Sequence, residues 1–571
     1  MRRAGAAGAL GALLFLAGAS FAGPLDDLKG TAPHALDAQT PPEDVASKCS
    51  ACHSGGTDQG GLRHRPWDSW AGTMMANAAR DPLYLAALTV AQQDSPGIGT
   101  FCIRCHSPQA FVRGDAADGF GNALTADDRE GVACEACHRS TASPPGPYAG
   151  NAQLVWDPGA VKHGPYEGAD SPAHTTLADP FTSSSALCGQ CHQLENPLVH
   201  RLDAAGTDTG QPFPLDTTYA EWRASSFASG AGKKECIDCH MPRAKGDLTL
   251  STFPTAKTRS NPRMHGFVGG NAWGISAVQA AEPALAKARE LSFNGMKAAA
   301  LTMLQSALRV DVEILGAAGA VKPGASFDVR VRVTNLTGHR FPTGYADGRR
   351  AFLRVELLDG SNTVRRSVEP EDHVYEAVHE ARAPGDQHGQ EFHIARSNTI
   401  VKDSRIPPAG FVPGPQTPIV GADYGDGHGG VRAYDEGTFH FTAPDSAPPG
   451  RLRVRATVLY QATVPGMVKE LALANKTDER GSKLEKIYAA TGSGAPIDVT
   501  AGSADLAFDG PQPMPPDSKG CGCALPGQSG RSSEPGAVGA SLVALMLGLS
   551  LRRRRLSERA SRESRARRGR W

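Results

Sequence analysis

Apolar and polar residues alternate along the second half of the chain. The alternation is clear in five stretches, at 310–314, 327–333, 352–358, 438–441 and 452–458. A period of two is typical of strands that bury one face, and the turn residues between these stretches favour an antiparallel sandwich. The sequence therefore predicts an Ig-like β-sandwich domain over residues 309–500, with a turn-rich excursion from about 384 to 430.

The first half of the chain shows helical spacing instead. Residues 80–93 have a proline at the expected helix start and apolar residues three and four positions apart. We expect another short helix within 127–137 and one or two within 276–308. The predicted fold class is α+β and multidomain, with a loop-rich, α-helical domain at 23–308, the β-sandwich at 309–500 and a Pro-rich linker at 501–520.

The N-terminus has the pattern of an export signal. Arg2 and Arg3 precede an apolar run at 4–19, and small residues at 20–22 suit cleavage. We therefore predict a signal peptide at 1–22, which places the protein in the periplasm or on the outer cell surface.

The C-terminus carries a second targeting pattern at 521–571. Cys521 and Cys523 precede an apolar stretch at 537–551 and then four arginines at 552–555. About 15 apolar residues are marginal for spanning a bilayer, and the arginines would hold the tail inside. The arrangement resembles the three-part sorting signal of myxobacterial surface proteins, which implies anchoring at the cell surface. The alternative is a simple tail anchor in the inner membrane.

Ten of the twelve cysteines fall into five Cys-x-x-Cys-His motifs. The paired thiols are Cys49 and Cys52, Cys102 and Cys105, Cys134 and Cys137, Cys188 and Cys191, and Cys236 and Cys239. In c-type haem attachment two thiols add to the haem vinyl groups, and the adjacent His binds the iron. One such motif also fits a zinc site or a redox dithiol, but five favour five covalently bound haem c groups. The predicted proximal iron ligands are His53, His106, His138, His192 and His240.

The second axial ligand decides what each iron can do. Two strong ligands suit electron transfer, whereas an open position admits a small molecule. The candidate distal ligands are His174, His265, His339, His64, His163, His200 and Met75. His339 lies in a distinctive loop at 335–344. The six histidines from His373 to His440 are expected to be ordinary surface residues.

Residues 45–265 resemble the multihaem cytochromes of the cytochrome c-554 type. The resemblance rests on the segments at 131–134, 239–242 and 265–267, and on partial matches to Trp-x-x-Ser-x-His at 70–75 and 222–227. In that family the last position of the Trp segment is a distal His, but here it is Met75 or Phe227. Met ligation raises the potential relative to two His ligands, and the alternative is that Met75 only packs against a haem. Phe227 cannot bind iron, so one haem takes its ligand from elsewhere or lacks one.

Charge and composition limit the choice of partners. Glycine (65) and proline (42) are abundant and aromatics make up 6%, which predicts long irregular stretches around the haems. Without the two ends, 46 Lys and Arg face 56 Asp and Glu, a balance of −10. An acidic body argues against nucleic acid and anionic lipid and favours a redox partner with a basic docking face. Membrane contact is expected only through the C-terminal segment.

These features predict an exported pentahaem cytochrome that carries electrons along closely packed haems, without catalytic side chains of its own. The first alternative is a reductase or oxidase of a small nitrogen or sulfur compound at a five-coordinate haem. The second is a surface binding protein whose β-domain recognises a ligand.

Overall fold

The computed structural model describes residues 28–42, 46–58, 64–142, 150–316, 319–383, 385–447 and 451–511. They belong to one compact unit, Met1–Pro513. The predicted signal peptide and the C-terminal targeting segment lie outside the described residues and stay predictions. Within the described ranges, no helix is both long and apolar enough to cross a bilayer.

Short helices and small two-stranded sheets make up the described residues before 308. The helices are α1 (Ala46–Cys52), α2 (Pro66–Trp70), α3 (Pro82–Asp94), α4 (Ile98–His106), α5 (Pro108–Arg113), α6 (Cys134–His138), α7 (Ser185–Gly189), α8 (Thr218–Arg223), α9 (Cys236–His240), α10 (Ala272–Ala281), α11 (Pro283–Ala288) and α12 (Glu290–Ala307). The strands pair in sequence as β1 (Ser140–Thr141) with β2 (Val155–Trp156), β3 (Lys162–Gly164) with β4 (Thr176–Ala178), β5 (Leu194–Leu202) with β6 (Asp208–Asp216), and β7 (Asp247–Thr249) with β8 (Thr258–Ser260).

Local sequence explains two of these helix boundaries. The predicted helix at 80–93 is α3, and its first turn is capped because the Asp81 carboxylate accepts a hydrogen bond from Leu83 N (2.9 Å). The helix expected over 127–137 is divided into a 3₁₀ turn at Asp128–Glu130 and α6. Gly131 separates them with a φ of +66°, which a helix cannot contain.

Two antiparallel sheets follow α12. The strands are β9 (Leu308–Leu315), β10 (Ser326–Asn335), β11 (Arg350–Leu358), β12 (Val364–Val368), β13 (Val374–Ala381), β14 (Gln390–Glu391), β15 (Thr399–Asp403), β16 (Tyr434–Thr442), β17 (Arg451–Gln461) and β18 (Ile497–Ala507). One sheet has the order β16-β10-β9, and the other has the order β14-β13-β11-β17-β18, with β12 on β11 and β15 on β13. The larger sheet includes β18, which ends at Ala507 within the predicted linker. The part of the chain from β9 to β18, called the β-segment below, therefore extends beyond residue 500.

Both sheets contribute to one apolar core. In β10, Phe327, Val329, Val331 and Val333 are buried, as the period of two predicts. They share that core with buried residues of the larger sheet, such as Leu353, Val355, Val454 and Val458. The antiparallel sheets were predicted, whereas the Ig-like arrangement of their strands stays a prediction.

Two helices between β17 and β18 were not predicted. They are α13 (Pro465–Ala474) and α14 (Arg480–Ala490). Met467, Val468 and Leu471 of α13 pack with Ala86 and Val90 of α3 in one buried cluster. The available signal was Pro465 at a helix start, followed by apolar residues at helical spacing. These helices tie the β-segment to the motif-bearing half.

The expectation that the six later histidines lie on the surface was wrong for His373, His379 and His393, which are buried. His393 joins the two halves: its Nδ1 lies 2.7 Å from the Asp94 carboxylate at the end of α3, and its Nε2 lies 3.5 Å from Glu470 of α13. The hydrogen bond with Asp94 outweighs burial and raises the pKa of His393.

The His393 contact should stabilise the fold in a pH-dependent way. Because folding raises the pKa, the contribution is fully present below the unfolded value of about 6.5 and is lost as pH rises through the folded pKa. We expect His393→Gln to lower the midpoint of urea unfolding at pH 6, with a gap from the wild type that narrows at higher pH. His440→Gln, at an exposed pair with Asp328, should change little. A gap that stays constant with pH would contradict the prediction.

Candidate functional site

Each Cys-x-x-Cys-His motif lies on a helical turn. Motifs two, three and five lie within α4, α6 and α9, and the other two run past the ends of α1 and α7. There His53 N and His192 N donate to the carbonyls of Cys49 and Cys188 at 2.9 and 3.0 Å, so the turn continues through the imidazole. Residues three and four apart share one face of a helix. In every motif the two thiols and the imidazole are therefore directed to the same side.

All ten motif cysteines and all five motif histidines line one cavity of about 1890 Å³. Ordinary small-molecule sites measure about 300–1,000 Å³. The walls come mainly from residues 48–307, but the loops at 336–349 and 392–395 of the β-segment also contribute. The site therefore requires both halves of the compact unit.

Three motif imidazoles face a second imidazole across this cavity. His53 faces His174 with ring centroids 6.3 Å apart, His138 faces His265 at 6.1 Å, and His240 faces His339 at 6.2 Å. A transition metal binds an imidazole nitrogen at about 2 Å. Since each ring adds about 1 Å to its centroid, two imidazoles on opposite sides of one metal ion have centroids about 6 Å apart. The three pairs have the spacing of axial ligands to a single ion.

Burial keeps these histidines in the form that binds metal. It lowers the pKa of His240 to about 4 and that of His265 to about 3. Burial is also the main cause of the lowered pKa of His53, His138 and His339. A metal ligand must be a neutral imidazole with a free lone pair, so burial prepares these five rings for coordination at pH 7.

Four motif histidines are oriented by hydrogen bonds with the backbone. Nδ1 of His106 lies 3.0 Å from Ala78 O, that of His138 lies 2.8 Å from His163 O, and that of His240 lies 2.5 Å from Val268 O. The imidazole of His53 forms a hydrogen bond with the backbone of Leu250. A carbonyl only accepts, so in His106, His138 and His240 Nδ1 carries the proton and Nε2 is left as the metal ligand.

His192 differs from the other four. Its Nδ1 lies 3.9 Å from the carboxylate of Asp216, which is longer than a hydrogen bond, so the contact is electrostatic. Burial lowers the pKa of His192, but the interaction with Asp216 outweighs it and raises the pKa to about 9. The imidazole is 52% exposed because it opens on the cavity.

Within the described residues, no imidazole faces His106 or His192. The ring contact of His106 is instead with Tyr84, whose ring stacks on it at 3.6 Å and 6°. Burial also lowers the pKa of His106 to about 4. The five motif histidines therefore divide into three that face another imidazole and two that do not.

The remaining candidate ligands are not brought opposite a motif histidine. His64 Nε2 bonds Asp58 (2.7 Å), and His200 is an exposed partner of Asp208 (3.1 Å). Both ring nitrogens of His163 are engaged by Asp179 and Asp157, at 3.1 and 3.2 Å, which leaves none for a metal. The backbone carbonyl of His163 instead accepts a hydrogen bond from Nδ1 of His138.

Met75 lies elsewhere in the site. It lines the cavity, and its carbonyl accepts a hydrogen bond from Val132 N (3.0 Å). Ligation by its sulfur stays a prediction.

Phe227 lies next to the loop that carries His339, and both residues line the cavity. Phe227 packs beside Gly338, the residue before His339, where a Cβ would lie 3.3 Å from the phenyl ring. The ring that faces His240 thus comes from the β-segment, next to the position where the Trp segment has phenylalanine.

Sequence reasoning did not identify Glu221 as part of this arrangement. Its buried carboxylate accepts hydrogen bonds from Arg340 N (3.1 Å) and Thr343 Oγ1 (2.8 Å), and it pairs with Arg405 at 2.8 Å. Glu221 therefore fixes the loop that carries His339 to α8. An acidic residue in the middle of a short helix gave no sequence signal for this role.

Thiol contacts give the order in which the motifs adjoin. Cys49 contacts Cys134, Cys105 contacts Cys191, and Cys188 contacts Cys236. The thiols of Cys137 and Cys191 also lie close enough to interact electrostatically. The first motif therefore adjoins the third, and the fourth adjoins the second, third and fifth.

Among the described residues, no group of three or more His, Cys, Asp or Glu side chains is arranged to hold a metal ion by itself. A haem iron differs from such a site because the protein supplies only its axial ligands.

No model of a protein family and no curated protein matches the chain. Among solved structures, a penta-heme cytochrome c552 from Thermochromatium tepidum is 17% identical and covers 81% of this chain and 99% of its own, with a TM-score of 0.46. A CARDB domain from Pyrococcus furiosus is 12% identical over 36% of this chain and 90% of its own, with a TM-score of 0.14. A sporulation control protein from Bacillus subtilis is 11% identical over 36% of this chain and 50% of its own, with a TM-score of 0.13. Likenesses at these TM-scores are too weak to assign a function.

Proposed function

We propose that this chain is a pentahaem c-type cytochrome that transfers electrons through haems attached to its five motifs. The observation that carries the proposal is the set of three imidazole pairs, spaced at 6.1–6.3 Å, inside one cavity lined by every motif. When bound, haem c supplies an iron that cycles between the ferric and ferrous states.

The residues present fit this group. Each motif directs two thiols and one imidazole to the same side, and the Nδ1 contacts of His106, His138 and His240 with backbone carbonyls leave Nε2 of these three rings for the metal. His53 with His174, His138 with His265 and His240 with His339 would hold one haem each from both sides. Two strong axial ligands suit electron transfer because they leave no position for a substrate.

The arrangement of the motifs supports electron transfer over several centres. The thiol contacts connect the first motif to the third, the third to the fourth, and the fourth to both the second and the fifth. Haems attached at neighbouring motifs would lie close together, and no protein acid or base is needed for an electron to pass between them. The chain's task is to fix spacing, ligands and polarity, which set the potentials.

Export, surface display and a basic redox partner belong to the same proposal. They rest on the sequence of the two ends and on the acidic balance of the body.

Haem counting tests the proposal directly. We expect five covalent haems per chain, measured by intact-mass spectrometry and by pyridine haemochrome absorbance, after expression with a c-type maturation system and export. Replacing Cys49 and Cys52 by serine should remove one haem, whereas Cys521→Ser, outside the motifs, should keep all five. A purified, folded chain with no covalent haem would refute the proposal.

A second candidate function is reduction or oxidation of a small nitrogen or sulfur compound. The specific observation is that His106 and His192 face no imidazole within the described residues. A ferric spectrum with a high-spin component that cyanide or nitrite converts to low-spin would support it. A wholly low-spin spectrum that neither anion changes would exclude it.

A further inference from the structure

We infer that Asp216 is a positioning residue whose negative charge lowers the reduction potential of the haem held by His192. The inference rests on the proposed function, since it concerns one of the five haems. It goes beyond that function because it distinguishes one centre from the other four.

The first argument is the contrast between the partners of the motif histidines. His53, His106, His138 and His240 are each oriented by a neutral backbone group. Among the contacts of the described residues, His192 is the motif histidine with a carboxylate beside its Nδ1. A negative charge at Nδ1 makes the imidazole a more basic ligand. It therefore stabilises ferric over ferrous iron and lowers the potential.

The second argument is that Asp216 is held in place. It ends β6 and is buried. Its Oδ1 accepts hydrogen bonds from Thr218 N (3.0 Å) and Thr218 Oγ1 (2.7 Å), which leaves Oδ2 as the oxygen toward His192. A carboxylate fixed in this way acts as a permanent local charge rather than as a mobile side chain.

The third argument is the position of the fourth motif among the others. Its thiols contact those of the second and fifth motifs, and Cys137 of the third motif lies near Cys191. An electron that enters at the first or third motif and leaves at the second or fifth would pass the fourth. Its potential therefore controls the driving force of both steps.

The test is Asp216→Asn, which removes the charge and keeps the size of the side chain. Loss of a side chain that interacts with a metal ligand typically changes metal affinity or activity by about 10- to 100-fold, and we take the lower figure for the potential. We expect the step of the haem held by His192 to shift most, toward higher potential by about tenfold in the ferric–ferrous equilibrium, or about 59 mV. A smaller shift in the same direction is expected at the haem held by His240 and His339, because Asp216 also interacts electrostatically with His339. The readout is an optical redox titration with mediators, and EPR of the partly reduced samples shows which centre has moved.

Two further variants make the result decisive. Asp208→Asn, on the same strand but exposed and paired with His200, should leave all five steps unchanged. Asp216→Glu retains the charge and should stay near the wild-type potentials. Five unchanged steps in Asp216→Asn, or an equal shift in Asp216→Glu, would overturn the inference. Failure of the proposed function is distinct, because the wild-type chain would then lack five covalent haems.

Discussion

Replacement of His339 by alanine is expected to convert one of the five haems from low-spin to high-spin while leaving all five attached. His339 faces His240 at 6.2 Å, and alanine removes that ligand without touching a Cys-x-x-Cys-His motif. An iron with one strong axial ligand and an open position becomes high-spin and binds small anions. The change should be measured by EPR and by the charge-transfer absorbance of the ferric protein.

The matched control for His339→Ala is His428→Ala. His428 is an exposed histidine in the same β-segment, and its loss should leave the spectrum unchanged. His174→Ala and His265→Ala, at the other two pairs, should each produce the same change as His339→Ala at a different haem. A wholly low-spin spectrum in His339→Ala would refute the assignment of His339 as a ligand.

Replacement of Glu221 by alanine is expected to give the largest loss of stability among single changes at this site. Glu221 is fully buried and pairs with Arg405, which is also buried. Glu221 and Asp403 together balance Arg340 and Arg405 in one buried network. Removal of Glu221 therefore leaves one buried positive charge without a balancing carboxylate, and breaking a buried ion pair in this way costs about 3–5 kcal/mol. The same change should raise the high-spin fraction, because Arg340 and Thr343 lose the anchor that fixes the His339 loop.

The free energy of unfolding from urea titrations followed by circular dichroism measures this loss. Glu313→Ala provides the control, since Glu313 forms an exposed pair with Arg330 at 3.1 Å. Exposed pairs contribute about 0–1 kcal/mol, so the two carboxylates should differ severalfold. Equal losses in the two variants would show that the buried network does not hold the loop.

The candidate distal ligands show where sequence reasoning stopped. The sequence offered seven candidates on composition and context, and three of them, His174, His265 and His339, face a motif histidine in the structure. His163 was also a candidate by sequence, ranked behind these three, but both its ring nitrogens are occupied by carboxylates. A histidine side chain gives no local signal that separates a ligand from a partner of aspartate, because the difference lies in what other segments bring to it.

In the β-segment, too, the sequence predicted local structure but not the contacts between distant segments. Alternation in β10 and β17 predicted buried faces, because a strand that covers a core repeats every two residues. The pattern did not show that α13 and α14 interrupt the segment and pack on α3, nor that His373, His379 and His393 are buried. Burial of these histidines depends on carboxylates and helices far away in the chain.

The sequence by itself determined the five haem-attachment motifs as a prediction, since a thiol pair and the following imidazole share a single helical turn and need nothing beyond it. It also determined the alternating strands, for the same local reason. The tertiary structure decided which imidazoles face each other, which two motif histidines face none within the described residues, and that Asp216 places a carboxylate beside Nδ1 of His192. Those properties depend on distances between segments that are separated in sequence, and the packing of the segments around one cavity sets them.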